Sequence, residues 1–301
     1  MTVIQKPSRA LRVLRGSKVG TKATRSRMGN AAVVFFLVLL AAFMSFPMIY
    51  TVNVAFKPMG ELLKYPPDFF VQNPTLQNFT NLSNAISNST VPFSRYFFNS
   101  IIVAGLGTLL HVIFASLAAY PLAKHKFPGR KTLFMMVVLG LMFSPTIVEV
   151  PRYLQMAAIG WLDSYQAMIV PLLINTLGLY LMKQFMEQIN DAVLEAARID
   201  GAGEWAAWWY VVMPAVKPAY LTLTIFAFKD FWNNIGPVMM YISSESKKTL
   251  PLALTNIMQG GLPRLGATAV VGLLLMLPPI IIFLITQSNV IETMKSSGMK
   301  D

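Results

Sequence analysis

The sequence predicts an all-α fold: a polytopic membrane helix bundle with six transmembrane helices and one long cytoplasmic loop. Three observations predict it. Of 301 residues, 55% are hydrophobic and 13% charged, whereas about a quarter charged is ordinary for a soluble domain. The charges gather in short polar segments between long stretches with few or no ionisable groups, which is the layout of helices in lipid. Lys and Arg are also divided unevenly between alternate segments, and that bias sets an orientation.

Residues 1–29 read as a basic cytoplasmic tail, because 8 of the 25 Lys and Arg lie in the first 27 residues with no acid among them. A net charge of +12 would otherwise suggest nucleic acid, but a tail beside a bilayer accounts for it. The apolar run that follows is too long for a signal-peptide core and has no clean A-x-A cleavage site, so an uncleaved tail is expected rather than a signal or transit peptide.

A helix crossing the hydrocarbon core needs about 20 mostly apolar residues. Six segments are expected to do so: Asn30–Phe56, Phe97–Ala123, Thr132–Val148, Tyr165–Phe185, Ala219–Tyr241 and Leu265–Gln287, the last kinked at Pro278-Pro279. They make up a membrane domain over 30–290, followed by a cytoplasmic tail over 291–301. With the N-terminus inside, the inner segments hold 17 Lys and Arg against 7 in the outer loops, and Lys229 lies within a span. Both termini are therefore predicted to be cytoplasmic.

The long outer loop, Lys57 to Tyr96, is rich in Asn, Pro and aromatic residues and is expected to meet a partner. Its sequons at Asn78, Asn81 and Asn88 arise readily by chance in such a stretch and carry little weight. The chain has no cysteine, which excludes disulfides, thiolate metal sites, thiol nucleophiles and cysteine lipidation.

The loop between spans four and five, about 186–217, is the most informative segment. On a helix, Val193, Ala196, Ala197, Asp200 and Gly201 share one stripe at the i, i+3, i+4, i+7, i+8 spacing. Their small side chains leave room for another backbone. Gly201 and Gly203 are expected to break that helix, a second short helix to start at Glu204, and Pro214 to close it. Trp205, Trp208 and Trp209 are expected on one face of the second helix, at the membrane–water boundary. The residues by themselves also fit an amphipathic interfacial hairpin without a partner.

This segment resembles the EAA loop of permease subunits of bacterial ABC importers: Glu195-Ala196-Ala197, then Gly201, then Val211-Val212-Met213-Pro214, where the family has Ile and Leu at the first and third of these places. The resemblance runs from about Met28 to Gln287 and is closest to the carbohydrate-uptake branch, the maltose-type inner permease subunit. Lys57-Pro58 with Glu61, Pro74 to Phe79, Tyr96 to Ser100, Ala119 to Ala123 with Phe127 to Arg130, Trp232-Asn233 and Thr249 to Pro251 carry it.

The resemblance implies a permease forming half of a translocation pathway for a sugar or oligosaccharide, in a bacterial inner membrane. The implied partners are a second permease subunit, two ATP-binding subunits that hold ATP and Mg, an extracytoplasmic solute-binding protein and the lipid bilayer, with no nucleic acid. The loop becomes a coupling helix in which Glu195, Ala196, Ala197, Asp200, Gly201 and Pro214 dock an ATPase. No cofactor, metal or catalytic residue is expected in this chain, and Gly129-Arg130-Lys131-Thr132 lacks the Gly-Lys of a phosphate loop.

Lys229 and Asp230, about 15 Å above the cytoplasmic end of span five at 1.5 Å per residue, would each cost roughly 2.5 to 3.5 kcal/mol facing lipid. They are expected to face the bundle interior or a watery cavity, either lining the pathway or fixing helix packing. Trp232, Asn233 and Asn234 follow, an aromatic face and amides able to hold a sugar ring. His111 reads as an interhelical hydrogen-bonding residue, and the 19 methionines as packing.

Other functions compete on the same features. The same importer class could carry amino acids, peptides or ions. A secondary transporter calls for inverted repeats and coupling-ion carboxylates, whereas Asp230 is the lone midplane acid. An intramembrane enzyme needs a catalytic cluster that His111 and His125, far apart in sequence, do not supply.

Overall fold

The computed structural model describes residues 27–87, 91–258 and 264–297. The basic tail before Arg27, the sequon at Asn88 and the end of the C-terminal tail beyond Ser297 lie outside the described residues. Among the described residues the chain is helical without strands, the all-α bundle expected.

The chain divides into two units, Met1–Ile49 and Tyr50–Asp301. Helix α1 (Arg27–Phe56) runs from the first into the second. In the first unit its apolar side chains, among them Phe35, Phe36, Leu39, Phe43 and Phe46, are exposed around the helix, as suits a helix surrounded by lipid tails or another chain.

The second unit begins with the outer loop. Short α2 (Met59–Leu62) and α3 (Gln77–Ser87) are held by side chains that satisfy loop backbone. Glu61 accepts from the N–H groups of Gln72 and Asn73 at 3.1 and 2.9 Å. Asn78 is buried and donates to the carbonyls of Ala55 and Lys57 at 3.0 and 2.7 Å, so this sequon asparagine is a structural bolt.

Helix α4 (Phe93–Lys124) is the central post, packing on α7 (Tyr165–Leu173), α8 (Thr176–Glu187) and α11 (Lys217–Trp232). It buries a stripe of small residues that includes Ala104, Gly107, Ala115, Ser116 and Ala119, and small side chains are what let helices approach in lipid. At Gly107 the need is specific, because an added Cβ would lie 2.5 Å from the Phe231 ring of α11. Helix α11 in turn packs on α14 (Leu265–Ser297).

Between these come α5 (Arg130–Gly140) and α6 (Glu149–Ala158), then α9 (Asp191–Ile199), α10 (Glu204–Ala215), α12 (Ile235–Tyr241) and α13 (Leu250–Met258). Two apolar clusters fill the unit. One, around Met182, Met186, Leu194, Trp208 and Val212, lies at the α9 end. The other, around Met168, Phe231, Trp232, Tyr241 and Leu254, occupies the opposite end.

The opposite end is closed by polar clamps. The Asn99 amide donates to the carbonyls of Ser246 and Lys248 at 2.9 and 2.8 Å and accepts from the Tyr165 hydroxyl at 2.7 Å. Asp163 accepts from the Ser243 and Ser244 N–H groups at 3.2 and 2.9 Å, the Ser244 hydroxyl at 2.6 Å and Lys247 at 2.9 Å. Its backbone φ of 57° is a left-handed conformation that Asp tolerates better than most residues.

Among the described residues, three helices are long and apolar enough to cross a membrane: Met28–Phe56, Phe93–Lys124 and Leu265–Gln287. The count reaches five if two bent pairs, Tyr165–Leu173 with Thr176–Glu187 and Glu204–Ala215 with Lys217–Trp232, each form one span. Three expected spans are interrupted, Tyr165–Phe185 among them, divided into α7 and α8 by a 43° bend. Thr132–Val148 is not one helix: α5 ends at Gly140, a 3-10 turn occupies Pro145–Val148, and α6 starts at Glu149. Gly140 packs tightly, its Cβ position 2.9 Å from Thr176, and Pro145 cannot extend the ladder. Ala219–Tyr241 is likewise interrupted, since α11 stops at Trp232 and α12 begins at Ile235.

Candidate functional site

The loop joining α8 to α11 folds from its own capping residues. Asn190 accepts from the Ala192 N–H at 3.0 Å and caps α9, Asp191 stands in its first turn and Arg198 in its last, and both charges suit the helix dipole. Gly201, at φ +86°, ends the helix in the left-handed conformation that favours glycine. Gly203 then caps α10 at Glu204. The helix continues one residue past Pro214, to Ala215, before an 80° bend into α11.

The three tryptophans cluster, with ring centroids 5.9 Å apart between Trp205 and Trp208 and 5.4 Å apart between Trp208 and Trp209. Trp208 is buried, whereas Trp205 and Trp209 are exposed. The stretch Ala207–Val212 is π-helical, with Trp208 set against the apolar cluster at the α9 end. Trp208 therefore fills the core at the α9 end while its two neighbours remain outside.

Charged groups bind this loop to the rest of the unit. Lys124, at the end of α4, reaches Asp191 at 2.7 Å and donates to the Ile189 carbonyl. Glu204 accepts from the Tyr120 hydroxyl at 2.9 Å and Arg198 at 2.9 Å, and His125 Nε2 lies 3.1 Å away. The Tyr120 hydrogen bond is the main force holding the Glu204 carboxyl below its ordinary range, with Arg198 and His125 adding to it. Arg130 donates to the carbonyls of Leu122 and Ala123 at 2.8 and 3.1 Å and to Glu187 at 3.2 Å. Lys183 pairs with Glu187 at 2.6 Å and stands 3.7 Å from the centre of the Phe134 ring, a cation–π contact.

What this anchoring leaves outward is the expected docking stripe. Leu194 is the only buried residue of α9. Glu195, Ala196, Asp200, Gly201 and Pro214 are exposed and Ala197 half-buried, with Val193 and Ile199 exposed beside them. A nine-residue helix is too short to be stable by itself, so its shape is imposed by the anchors at Asp191 and Glu204. It presents carboxylates, small residues and two aliphatic side chains to whatever lies beyond.

The second expected set is split. Lys229 and Asp230 are 3.7 Å apart with side chains 60% and 40% exposed, so they lie on the outside of this chain rather than in its own interior. Asn233 is exposed and Asn234 half-buried at the break after α11. Trp232 points the other way: it is 2% exposed, donates its indole N–H to the Leu275 carbonyl at 3.0 Å and stacks on Phe228 at 5.9 Å. The sugar platform expected at Trp232 has no free face, because the hydrophobic effect places the ring in the core. Among the described residues no group of three or more His, Asp or Glu side chains could hold a metal.

Sequence reading missed the pairing of Tyr120 and His125 with Glu204, whereas His111, expected as an interhelical hydrogen-bonding residue, meets the Leu173 carbonyl of α7 through Nδ1 at 3.1 Å. The Glu204 pairing left a trace, a basic loop at 124–131 and an acidic one at 186–217; the acceptor of His111 left none, since it is backbone.

Residues 27–295 match the family described as binding-protein-dependent transport system inner membrane component. Protein LplC of Bacillus subtilis (strain 168) is 30% identical over 237 residues, 79% of this chain and 77% of that one. The arabinooligosaccharides transport system permease protein AraQ of the same organism is 25% identical over 269 residues, 89% of this chain and 95% of that one. Among solved structures, a bacterial ABC transporter involved in the import of the acidic polysaccharide alginate has a chain that superposes with a TM-score of 0.73 at 22% identity, over 88% of this chain and 98% of that one. That likeness establishes the fold.

Proposed function

The chain belongs to the family of binding-protein-dependent transport system inner membrane components, it is a permease of an ABC importer, and from that premise we propose that its cargo is a sugar or oligosaccharide. It forms half of the pathway beside a second permease subunit. Two ATP-binding subunits dock beneath and hydrolyse ATP with Mg, and an extracytoplasmic binding protein delivers the cargo. The chain lies in the bacterial inner membrane with both termini cytoplasmic, an orientation supported by the Lys and Arg asymmetry.

The observation that carries the reading is the exposed stripe of α9 on a rigid mount. Ala196, Ala197 and Gly201 leave room for close approach, and Glu195 and Asp200 can accept charge-assisted hydrogen bonds from a basic groove. Asp191 and Glu204 pass any displacement of α9 to Lys124, Tyr120 and His125 at the end of α4. A mounted helix moved by its partner carries the adjoining ends of the spans with it.

A sugar cargo is supported by the arabinooligosaccharide transport named for one relative. Uptake of radiolabelled arabinooligosaccharides and of other oligosaccharides, against amino acids and peptides, is the test in proteoliposomes holding the complete importer and its binding protein. ATP-dependent uptake of a sugar is expected. Uptake of amino acids or peptides with none of any sugar contradicts the cargo class while leaving the permease role standing.

A further inference from the structure

Span four is broken at Ile174–Asn175, with α7 and α8 bent by 43°, and the hydrogen bonds at the break are exchanged rather than lost. In an unbroken helix the Leu177 N–H would donate to the carbonyl of Leu173, four residues back. Here it donates to the Asn175 side-chain oxygen at 2.9 Å. The Leu173 carbonyl is met instead from α4, by His111 Nδ1 at 3.1 Å. A carbonyl only accepts, so Nδ1 carries the hydrogen. The ring is 2% exposed and fits because position 178 is glycine: a Cβ there would lie 2.4 Å from Nε2.

The place of the break matters. Above it, α7 is fixed through the Tyr165 hydroxyl to Asn99 at 2.7 Å. Below it, α8 ends at Glu187, which Arg130 of α5 meets at 3.2 Å, and the chain turns into α9. Beside the break lies an open apolar groove of about 480 Å³ lined by Phe114, Val137, Leu173, Asn175, Thr176 and Leu179.

We propose that His111 is a positioning residue for transport, holding span four bent through the Leu173 carbonyl so that motion of the coupling loop is taken up at Ile174–Asn175. Releasing His111 and Asn175 lets Leu177 recapture Leu173, which straightens the span. Two discrete sets of hydrogen bonds, each of modest net worth, make the break a two-state element rather than a passive kink. This inference rests on the importer reading above.

The experiment uses the full importer in proteoliposomes, with binding-protein-stimulated ATP hydrolysis and cargo uptake measured on the same preparations. The wild-type complex is the control for the importer reading, because absence of ATP-dependent uptake there would count against that reading and not against the hinge. His111→Leu removes the donor, while His111→Asn keeps an N–H near the place of Nδ1. Gly178→Ala pushes the ring from its seat.

For His111→Leu and Gly178→Ala, ATP hydrolysis is expected within about twofold of wild type and uptake to fall about tenfold, the scale of one lost buried hydrogen bond. His111→Asn should recover most of the uptake. The double variant of His111→Leu with Gly178→Ala should be no worse than either single one, the signature of a shared pathway. Parallel loss of hydrolysis and uptake, full additivity, or failure of His111→Asn to rescue would overturn the proposal. If His111→Leu does not assemble, Gly178→Ala and His111→Asn decide between the same outcomes.

Discussion

The Tyr120 hydroxyl donates to Glu204 Oε2 at 2.9 Å, joining the end of α4 to the first turn of α10 across 84 positions of chain. A carboxylate that also meets Arg198 and His125 becomes the knot between the end of α4 and the loop that carries α9.

Removing that hydroxyl should loosen the loop without disturbing the bundle. Tyr120→Phe keeps the ring in the apolar cluster and forfeits one hydrogen bond, worth about 1 kcal/mol once solvent access to Glu204 is allowed for. Retention of ATPase subunits during purification should fall by about fivefold on that scale, with chain yield unchanged. Equal loss of chain and ATPase subunits would place Tyr120 in folding instead.

At the opposite end, the Asp163 clamp sets a pH dependence with a definite sign. Its carboxyl is held well below the ordinary range, first by the Ser244 hydroxyl and then by the Ser244 N–H and Lys247. A depressed folded pKa contributes stability that is present above the unfolded value, about 3.9, and is lost as pH falls through the folded one. Asp163→Asn should lower the melting temperature of the detergent-solubilised protein at pH 7, and the difference from wild type should shrink below about pH 4. A difference that grows on acidification would contradict this assignment.

Lys229 and Asp230 stand on the surface of this chain, so their worth to its own folding is small. Lys229→Met and Asp230→Asn should change the rate of uptake while leaving complex yield within about twofold, as surface substitutions do. Normal uptake with reduced yield would instead make them contacts that pack this chain against a neighbour.

Orientation is open to direct labelling because the chain has no cysteine. Thr80→Cys and Ser246→Cys should react with an impermeant reagent in intact cells, and Lys126→Cys should not; all three positions are exposed. The reverse pattern at either face would invert the topology.

The helical class and the helix breaks at Gly201 and Gly203 were legible because caps and hydropathy are local signals. The interruptions at Gly140, Ile174–Asn175 and Asn233–Asn234 were not. Hydropathy is nearly blind to where an apolar segment bends, and in lipid the freed backbone groups are satisfied by side chains far away in sequence, as His111 satisfies Leu173. Trp232 was misplaced for a related reason: composition marks an aromatic residue near amides, but only packing against Phe228 and Leu275 decides which way it faces.

The central claim, that α9 is the driven element of the importer, is tested most directly at Gly201. An added Cβ meets nothing within 4 Å in this chain, so Gly201→Asp burdens the outer face with bulk and charge and adds only a local cost of roughly 1–2 kcal/mol for a side chain in the left-handed region. ATP hydrolysis and uptake should be measured together in the reconstituted complex. The account predicts normal membrane insertion, loss of the ATPase subunits or of binding-protein-stimulated hydrolysis, and no uptake. Wild-type values of both in Gly201→Asp would remove this loop from the mechanism.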